Sequence, residues 1–447
     1  MRLASVFRPA HLPTRARGVL TCRSFAVQGR RCESTVTGTG KRKPDLGFVF
    51  DIDGVLLRSS QPLPGASKSL SLLVKEKIPF LFLTNGGGQT EHERIQRLNE
   101  LLDLQLDVSR IVQSHTPFKE LVRGIDRQEP LEGKTVLVVG GAGDKCRRVA
   151  HEYGFKNVVM PGDIFKSHPQ IWPFSTAFNS YYDTITEPLP APIDSDPTRS
   201  LKIDAILVFN DPRDWALDIQ IITDILLSQK GIIGTYSEKN HNNDLPNKGF
   251  LQDDQPPLYF SNPDLIWAAT YHQPRLGQGA FISALEGAWK ALTGGAELKM
   301  TVIGKPHQYT YEYAEQRLLK QREAMTNMDS SEPLKAVYMI GDNPASDIQG
   351  ANNYHSPYGS TWSSILVRSG VYAGGEPEHK PTTIVDGVED GVNWGLNKSG
   401  WKMTEDIYSQ DDADDTTWKS SRDVHANASE SANITPEFRK SNMDAIE

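Results

Sequence analysis

The chain is expected to be an α/β protein built on a doubly wound parallel sheet, and three observations point there. Short apolar runs recur, and they break abruptly into acids or glycines: Leu46–Phe50 into Asp51-Ile52-Asp53-Gly54, and Ile78–Leu83 into Thr84-Asn85-Gly86-Gly87. Runs of this length bounded by turn residues suit strands buried on both faces of a parallel sheet. Helical patterns lie between and after them, as over Glu91–Leu102, and strand, turn, helix, strand is the repeat of doubly wound folds. Thr135–Gly140, Ile203–Phe209, Thr301–Gly304, Val337–Gly341 and Ser364–Val367 complete the set of candidate strands. Ligands of open parallel sheets bind outside the carboxyl ends of the strands, so the turns after these runs are where chemistry belongs.

The chain has 447 residues, enough for two or three domains at roughly 150 residues each. Hydrophobic residues make up 38% and charged residues 23%, the balance of a folded soluble protein. A net charge of -8, with no basic stripe beyond the N-terminus, argues against nucleic acid as a partner. No apolar run approaches the roughly 18 to 20 residues needed to cross a bilayer, so no transmembrane segment is expected. The cysteines are Cys22, Cys32 and Cys146, which excludes a disulfide scaffold and fits a reducing compartment.

The first forty residues differ from the rest. Arg2, Arg8, Arg15, Arg17, Arg23, Arg30 and Arg31 precede the first acid, Glu33, with Ser, Thr and Ala between them. That composition predicts a mitochondrial transit peptide and a matrix location. Pro188–Ser200, Lys239–Pro257 and Ala324–Pro333 read as surface loops, and beyond about Gly400 the chain becomes polar and acidic, as disordered tails are.

An Asp-x-Asp spacing alone says little, because Asp194-Ser195-Asp196 has it too, inside a Pro/Ser loop. Asp51-Ile52-Asp53 follows a buried-strand pattern instead, and acids two apart point to the same side just past a strand end. One carboxylate is then placed to attack while the other handles protons. Thr84-Asn85-Gly86 and Gly304-Lys305-Pro306 are ordinary turns by themselves, and Asp342 and Asp347 are equally suited to capping a helix. Val139–Cys146 is glycine-rich like a dinucleotide fingerprint, but Cys146 stands at the third glycine and no acid follows on a clear second strand, so a structural turn is expected. His115, His151, His272 and His307 show no pair at metal-binding spacing and read as surface or packing residues.

The ordered set DIDGV, TNGGG, GKP and GDNPASD, each after its own strand candidate across residues 46–390, resembles the four motifs of the haloacid dehalogenase (HAD) hydrolase superfamily. LLRSSQPLPGA after Asp53 and GKPHQYTYEYA around Lys305 are similar to its class IIA branch. The resemblance implies a Rossmann-like core with an inserted α/β C2 cap. The domains would be a transit peptide and linker over 1–43, core over 44–111, cap over 112–296, core over 297–398, and a disordered tail over 399–447.

By the same resemblance Asp51 is a nucleophile that forms an aspartyl-phosphate, and Asp53 is the acid and base. Thr84 bonds a phosphoryl oxygen and Lys305 offsets negative charge. Mg²⁺ would be held by Asp51, the Asp53 carbonyl and Asp342, with Asp347 supporting it. Asn85 and Gly86 are expected at the substrate, as are Asn210 and Arg213 from the cap. Ser261–Asp264 is similar to a class IIA element near the domain junction. The implied activity is hydrolysis of a small phosphorylated metabolite, with a homodimer formed through the cap. The alternatives are a non-catalytic binding protein on the same fold and a role in glycerophospholipid biosynthesis.

Overall fold

The computed structural model describes residues 44–403, apart from 59, 125–128, 195, 268–270, 272, 274, 327–331 and 373. The expected transit peptide, His272 and residues 404–447 of the tail lie outside the described residues. Among the described residues no helix is long and apolar enough to cross a membrane.

Two parallel sheets organise the chain. The first has six strands, in the order Thr383–Val385, Thr361–Val367, Ala336–Gly341, Leu46–Phe50, Phe80–Leu83 and Ile111–Val112. Every pairing in it is parallel. Numbered along the chain this is the order 3-2-1-4-5-6 of doubly wound folds, with the switch point between the Leu46–Phe50 and Ala336–Gly341 strands. Phe48, Phe50, Phe80 and Phe82 are wholly buried on one face of the sheet, whereas Val49, Leu81 and Leu83 fill the other. Alternation by face is what period-two side chains require once helices cover both sides.

The second sheet has five parallel strands, in the order Thr301–Val302, Leu258–Phe260, Ala205–Val208, Thr135–Val139 and Asn157–Val159. It is inserted between Ile111–Val112 and Ala336–Gly341 of the first sheet, with its own cores on either side. The fold is therefore α/β, a doubly wound core carrying an inserted α/β cap.

The structure departs from the expected boundaries in three places. Ile111–Val112 pairs with Phe82 and Leu83, so the core's edge strand runs past 111. Thr301–Val302, expected within the returning core, pairs with Tyr259 and Phe260 and belongs to the cap sheet. A short apolar run announces a strand, but only its partner's main chain decides which sheet it joins. Residues 399–403, expected in a disordered tail, are packed: Trp401 and Met403 lie against the core cluster, and Trp401 Nε1 donates to Glu76 Oε2 at 3.1 Å.

Phe48 sits at the centre of this core, stacked near Phe50 and Tyr338. Phe48→Ala should lower unfolding stability by about 3–5 kcal/mol, read as a shift in the guanidinium midpoint at unchanged slope. A shift worth under about 1 kcal/mol would contradict this placement of the core.

Candidate active site

The switch point puts two strand ends side by side, one terminating in Asp51 and the other in Gly341-Asp342. Asp51 N donates to Ile340 O at 2.9 Å, extending the parallel pairing by one residue and fixing where its carboxylate starts. Gly54 follows with φ +84, and a Cβ there would lie 2.3 Å from Asp342 Oδ2, so only glycine lets the turn pass the second acid. Asp342 Oδ2 accepts from Val371 N at 2.7 Å.

Lys305 arrives from the chain leaving the cap sheet and its side chain is 2% exposed. Lys305 Nζ lies 2.7 Å from Asp51 Oδ1 and 2.7 Å from Asp347 Oδ1. Asp347 sits in one π-helical turn, Pro344–Ile348, a local distortion often found at functional sites. Its other oxygen accepts from Asp342 N at 3.1 Å and Asn343 N at 3.0 Å. Tyr311 Oη donates to the carbonyls of Ser346 and Asp347, at 3.0 and 3.2 Å, and holds that turn from beneath. One carboxylate oxygen from each of Asp51, Asp342 and Asp347 falls within 4.8 Å of the others.

The electrostatics follow from three buried acids facing one ammonium. Burial pushes the Asp51 carboxyl well above its ordinary range; Lys305 pulls it down, while Asp347, Asp342 and Asp53 push it up. Burial, then Asp347, raises Asp342 to about 7. Lys305 is opposed by burial, but Asp347 and Asp51 outweigh that and hold it well above the usual lysine range. The cluster is short of positive charge, and its donors are hard oxygens. That set fits an oxygen-preferring cation better than a soft one.

Not every expected site residue joins the cluster. The Asp53 carboxylate is 71% exposed at the rim and lies 3.6 Å from Arg94 Nη2. Thr84 is buried, with its Oγ1 accepting from Gly86 N at 2.9 Å, while Gly86 is exposed at the loop tip. Asn85, expected at the substrate, has its amide committed to protein: Nδ2 donates to Lys305 O at 2.9 Å, and Oδ1 accepts from Lys305 N at 2.8 Å. The same Nδ2 donates to Asp264 Oδ1 at 3.1 Å. An amide that matches both main-chain groups of Lys305 fixes the lysine, which spacing in the sequence does not reveal.

Asn210 overhangs the same loop, since a Cβ on Gly88 would lie 3.0 Å from Asn210 Cγ. Arg213 is set apart, bonded to Asp211 O at 2.8 Å and lining a crevice with Gly140, Tyr181 and Asp218. Asp264 is the residue sequence reasoning left out of the site, although the Ser261–Asp264 element was the signal for it. Burial raises it to about 6 beside Asn85 and Lys305. The glycine-rich turn after Val139 is structural: Cys146 is buried under Gly141, and Gly143 N donates to Tyr181 Oη at 3.0 Å. Asp163, in the first turn of the Pro161–Ser167 helix, has both oxygens engaged by Arg147 at 2.7 and 2.9 Å inside the cap. Asp194 and Asp196 pair with Arg199 on the surface.

Residues 48–156 match the family model of haloacid dehalogenase-like hydrolases, and residues 302–391 match a second described as HAD-hydrolase-like. The chain is 40% identical over 370 residues to Mitochondrial hydrolase YKR070W of Saccharomyces cerevisiae, covering 79% of this chain and 96% of the relative. It is 39% identical over 395 residues to the Cardiolipin synthase (CMP-forming) / mitochondrial hydrolase fusion protein of Schizosaccharomyces pombe. That match takes in 88% of this chain, which spans only 58% of the fusion protein. Among solved structures, a hypothetical protein from Pyrococcus horikoshii OT3 aligns with 78% of this chain and 99% of its own, at 18% identity and a TM-score of 0.49.

Two outcomes are expected of the cluster itself. Lys305→Met leaves buried carboxylates without their ammonium and should cost about 3–5 kcal/mol in urea unfolding at neutral pH, where a loss below about 1 kcal/mol would refute the pairing. In EDTA, Asp51 and Asp342 keep protons to higher pH in the native state than in the unfolded chain, where carboxyls titrate near 4. The native state then binds more protons, so this contribution to stability falls as pH rises from about 4 towards 7; thermal midpoints measured across that window check the sign. The two family models and the match to YKR070W show that this chain, with its buried lysine between two acids at the switch point of the sheet, belongs to the haloacid dehalogenase-like hydrolases.

Proposed function

We propose that this chain is a Mg²⁺-dependent phosphohydrolase that cleaves a small phosphomonoester through an aspartyl-phosphate on Asp51. The observation that carries the reading is the Lys305 ammonium at 2.7 Å from both Asp51 and Asp347, beside Asp342, at the switch point of the sheet. A carboxylate that must meet a phosphoryl dianion needs fixed positive charge around it, and these residues supply the lysine and a cation site.

Asp51 and Asp342 are the side chains that would hold Mg²⁺, together with the Asp53 carbonyl, while Asp347 orients Lys305 and the Asp342 main chain. When bound, the ion supplies charge that lets two anions approach. An Asp51 oxygen attacks phosphorus and the bond from phosphorus to the leaving oxygen breaks. Asp53, exposed at the rim, gives that oxygen its proton. Asp53 then takes a proton from water as the water attacks the phosphoenzyme, releasing inorganic phosphate and restoring Asp51. Thr84 and the loop to Gly88 receive the phosphoryl oxygens, and Asn210 faces them from the cap. A cap over this cleft excludes water and favours a small substrate over a phosphoprotein.

The arginine-rich start and the relatives' names favour a mitochondrial location. The Schizosaccharomyces pombe relative joins a hydrolase to a cardiolipin synthase in one chain, which supports a second reading in which the substrate belongs to glycerophospholipid biosynthesis. A purely non-catalytic role is disfavoured by the complete set of motif acids and lysine.

Phosphate release should be measured from p-nitrophenyl phosphate and a panel of sugar, polyol and lipid-derived phosphomonoesters, with Mg²⁺ or EDTA. Asp51→Asn is expected to lose on the order of 10³-fold or more in kcat, and EDTA to abolish turnover. Undiminished activity in Asp51→Asn would mean that the nucleophile is another residue.

A further inference from the structure

A second buried polar cluster lies where the cap joins the core, and the chemistry proposed above makes no use of it. Glu91 opens the Glu91–Leu102 helix of the core, His115 and Thr116 lie in the linker after the last core strand of the first segment, and Tyr153 ends the Lys145–Tyr153 helix of the cap. His115 is 0% exposed, Glu91 and Thr116 1% each, and Tyr153 8%.

The hydrogen bonds among them admit one direction only. Gly88 N donates to His115 Nε2 at 3.0 Å, so that nitrogen carries no proton. A neutral imidazole then has its proton on Nδ1, which lies 2.7 Å from Tyr153 Oη and donates to it. Tyr153 Oη in turn donates to Glu91 Oε1 at 2.6 Å. Thr116 Oγ1 donates to the same oxygen at 2.7 Å, and Lys119 Nζ lies 3.1 Å from Glu91 Oε2 and 4.5 Å above the Tyr153 ring. Burial holds His115 down to about 4, so it is neutral; at Glu91 burial works against the charge, but Lys119 and the Tyr153 and Thr116 hydroxyl donors outweigh it and keep the carboxylate ionised.

The chain ends on the loop that follows the Phe80–Leu83 strand. A Cβ on Gly87 would lie 2.6 Å from His115 Cδ2, so the imidazole forms the floor of that loop as well as accepting its Gly88 N–H. We propose that His115 is a positioning residue that couples the seating of the cap to the shape of the Gly86–Gly88 loop, through the path Gly88, His115, Tyr153, Glu91. Without the tyrosine hydroxyl, His115 Nδ1–H has no acceptor and the ring loses its reason to keep the proton there. The other tautomer turns an N–H towards Gly88 N–H, donor against donor, and the loop is released. A change on a cap helix is thereby felt at a core loop with which it shares no bond.

The test is amide hydrogen exchange by mass spectrometry on the full chain, following peptides that span 84–90. Tyr153→Phe should accelerate exchange there on the order of 10-fold, the scale of one buried donor left unpaired. Glu91→Gln, which weakens the terminal acceptor but keeps its shape, should give a smaller acceleration in the same peptides and serves if Tyr153→Phe does not fold. Arg148→Ala, on the same cap helix with only exposed contacts to Glu93 and Asp144, should leave the loop unchanged. Unchanged exchange over 84–90 in both Tyr153→Phe and Glu91→Gln would overturn the coupling. A second arm rests on the phosphatase reading: kcat for p-nitrophenyl phosphate should fall about 5- to 10-fold in Tyr153→Phe, the same loss of order, with KM moving less. A wild type inactive on every phosphomonoester would sink that reading while the exchange result still decides the coupling.

Discussion

A buried ammonium between two carboxylates is the constraint on which the rest of the structure depends. Bringing three acids to adjoining strand ends under a cap is prohibitive unless charge is supplied on the spot, because desolvation of each carboxylate costs several kcal/mol. Lys305 supplies the part that is covalently built in, reaching Asp51 and Asp347 at 2.7 Å each. Much of the neighbourhood serves to keep that side chain in place. Asn85 bonds both main-chain groups of Lys305, Asp264 bonds Asn85, and Tyr311 holds the turn that presents Asp347. The remaining deficit of positive charge is what gives the site its fit to a cation.

Lys305 also explains how the two sheets are joined. The chain leaves the cap sheet at Val302 and reaches the lysine before entering the Gln308–Thr326 helix of the core. Fixing Lys305 against Asp51 therefore fixes one of the two crossings between domains. The other crossing, from Val112 through Thr116, is fixed by Ser114 Oγ against Ser261 Oγ at 3.3 Å and by the His115 and Glu91 bonds. Both crossings are polar and buried. A polar junction holds a defined orientation through directional bonds, whereas an apolar one of equal area would tolerate sliding.

The strands were legible because burial on both faces removes the polar positions that would blur an apolar run, as in LGFVF and VYMIG. The Glu91–Leu102 helix was legible for a different reason: Thr90 and Glu93 form a capping box, and Ile95, Leu98 and Leu102 recur at helical spacing on the buried face. Thr301–Val302 was read as a strand but given to the wrong sheet, since two residues carry no information about their partner. Trp401 was lost in the composition of the tail that follows it. Asn85 was read from its place beside Thr84, while the structure spends its amide on a residue 220 positions away. His115 had no motif around it at all.

What the sequence by itself determined is the local chemistry: which residues end strands, and that two acids, a threonine, a lysine and two further acids stand in those ends in a family order. Backbone sterics and burial act within a few residues, so they leave a pattern that can be read. What only the tertiary structure decided is which of these groups meet. Asp51 and Asp342 come together because the core sheet places their strand ends side by side, Asp347 reaches them from the turn that follows, and Lys305 is brought in by the chain leaving the cap sheet. Asp53 faces the rim, and Asn85 and His115 bond across the domain junction. Such bonds depend on distances of a few ångströms between segments far apart in the chain, and no local pattern encodes them.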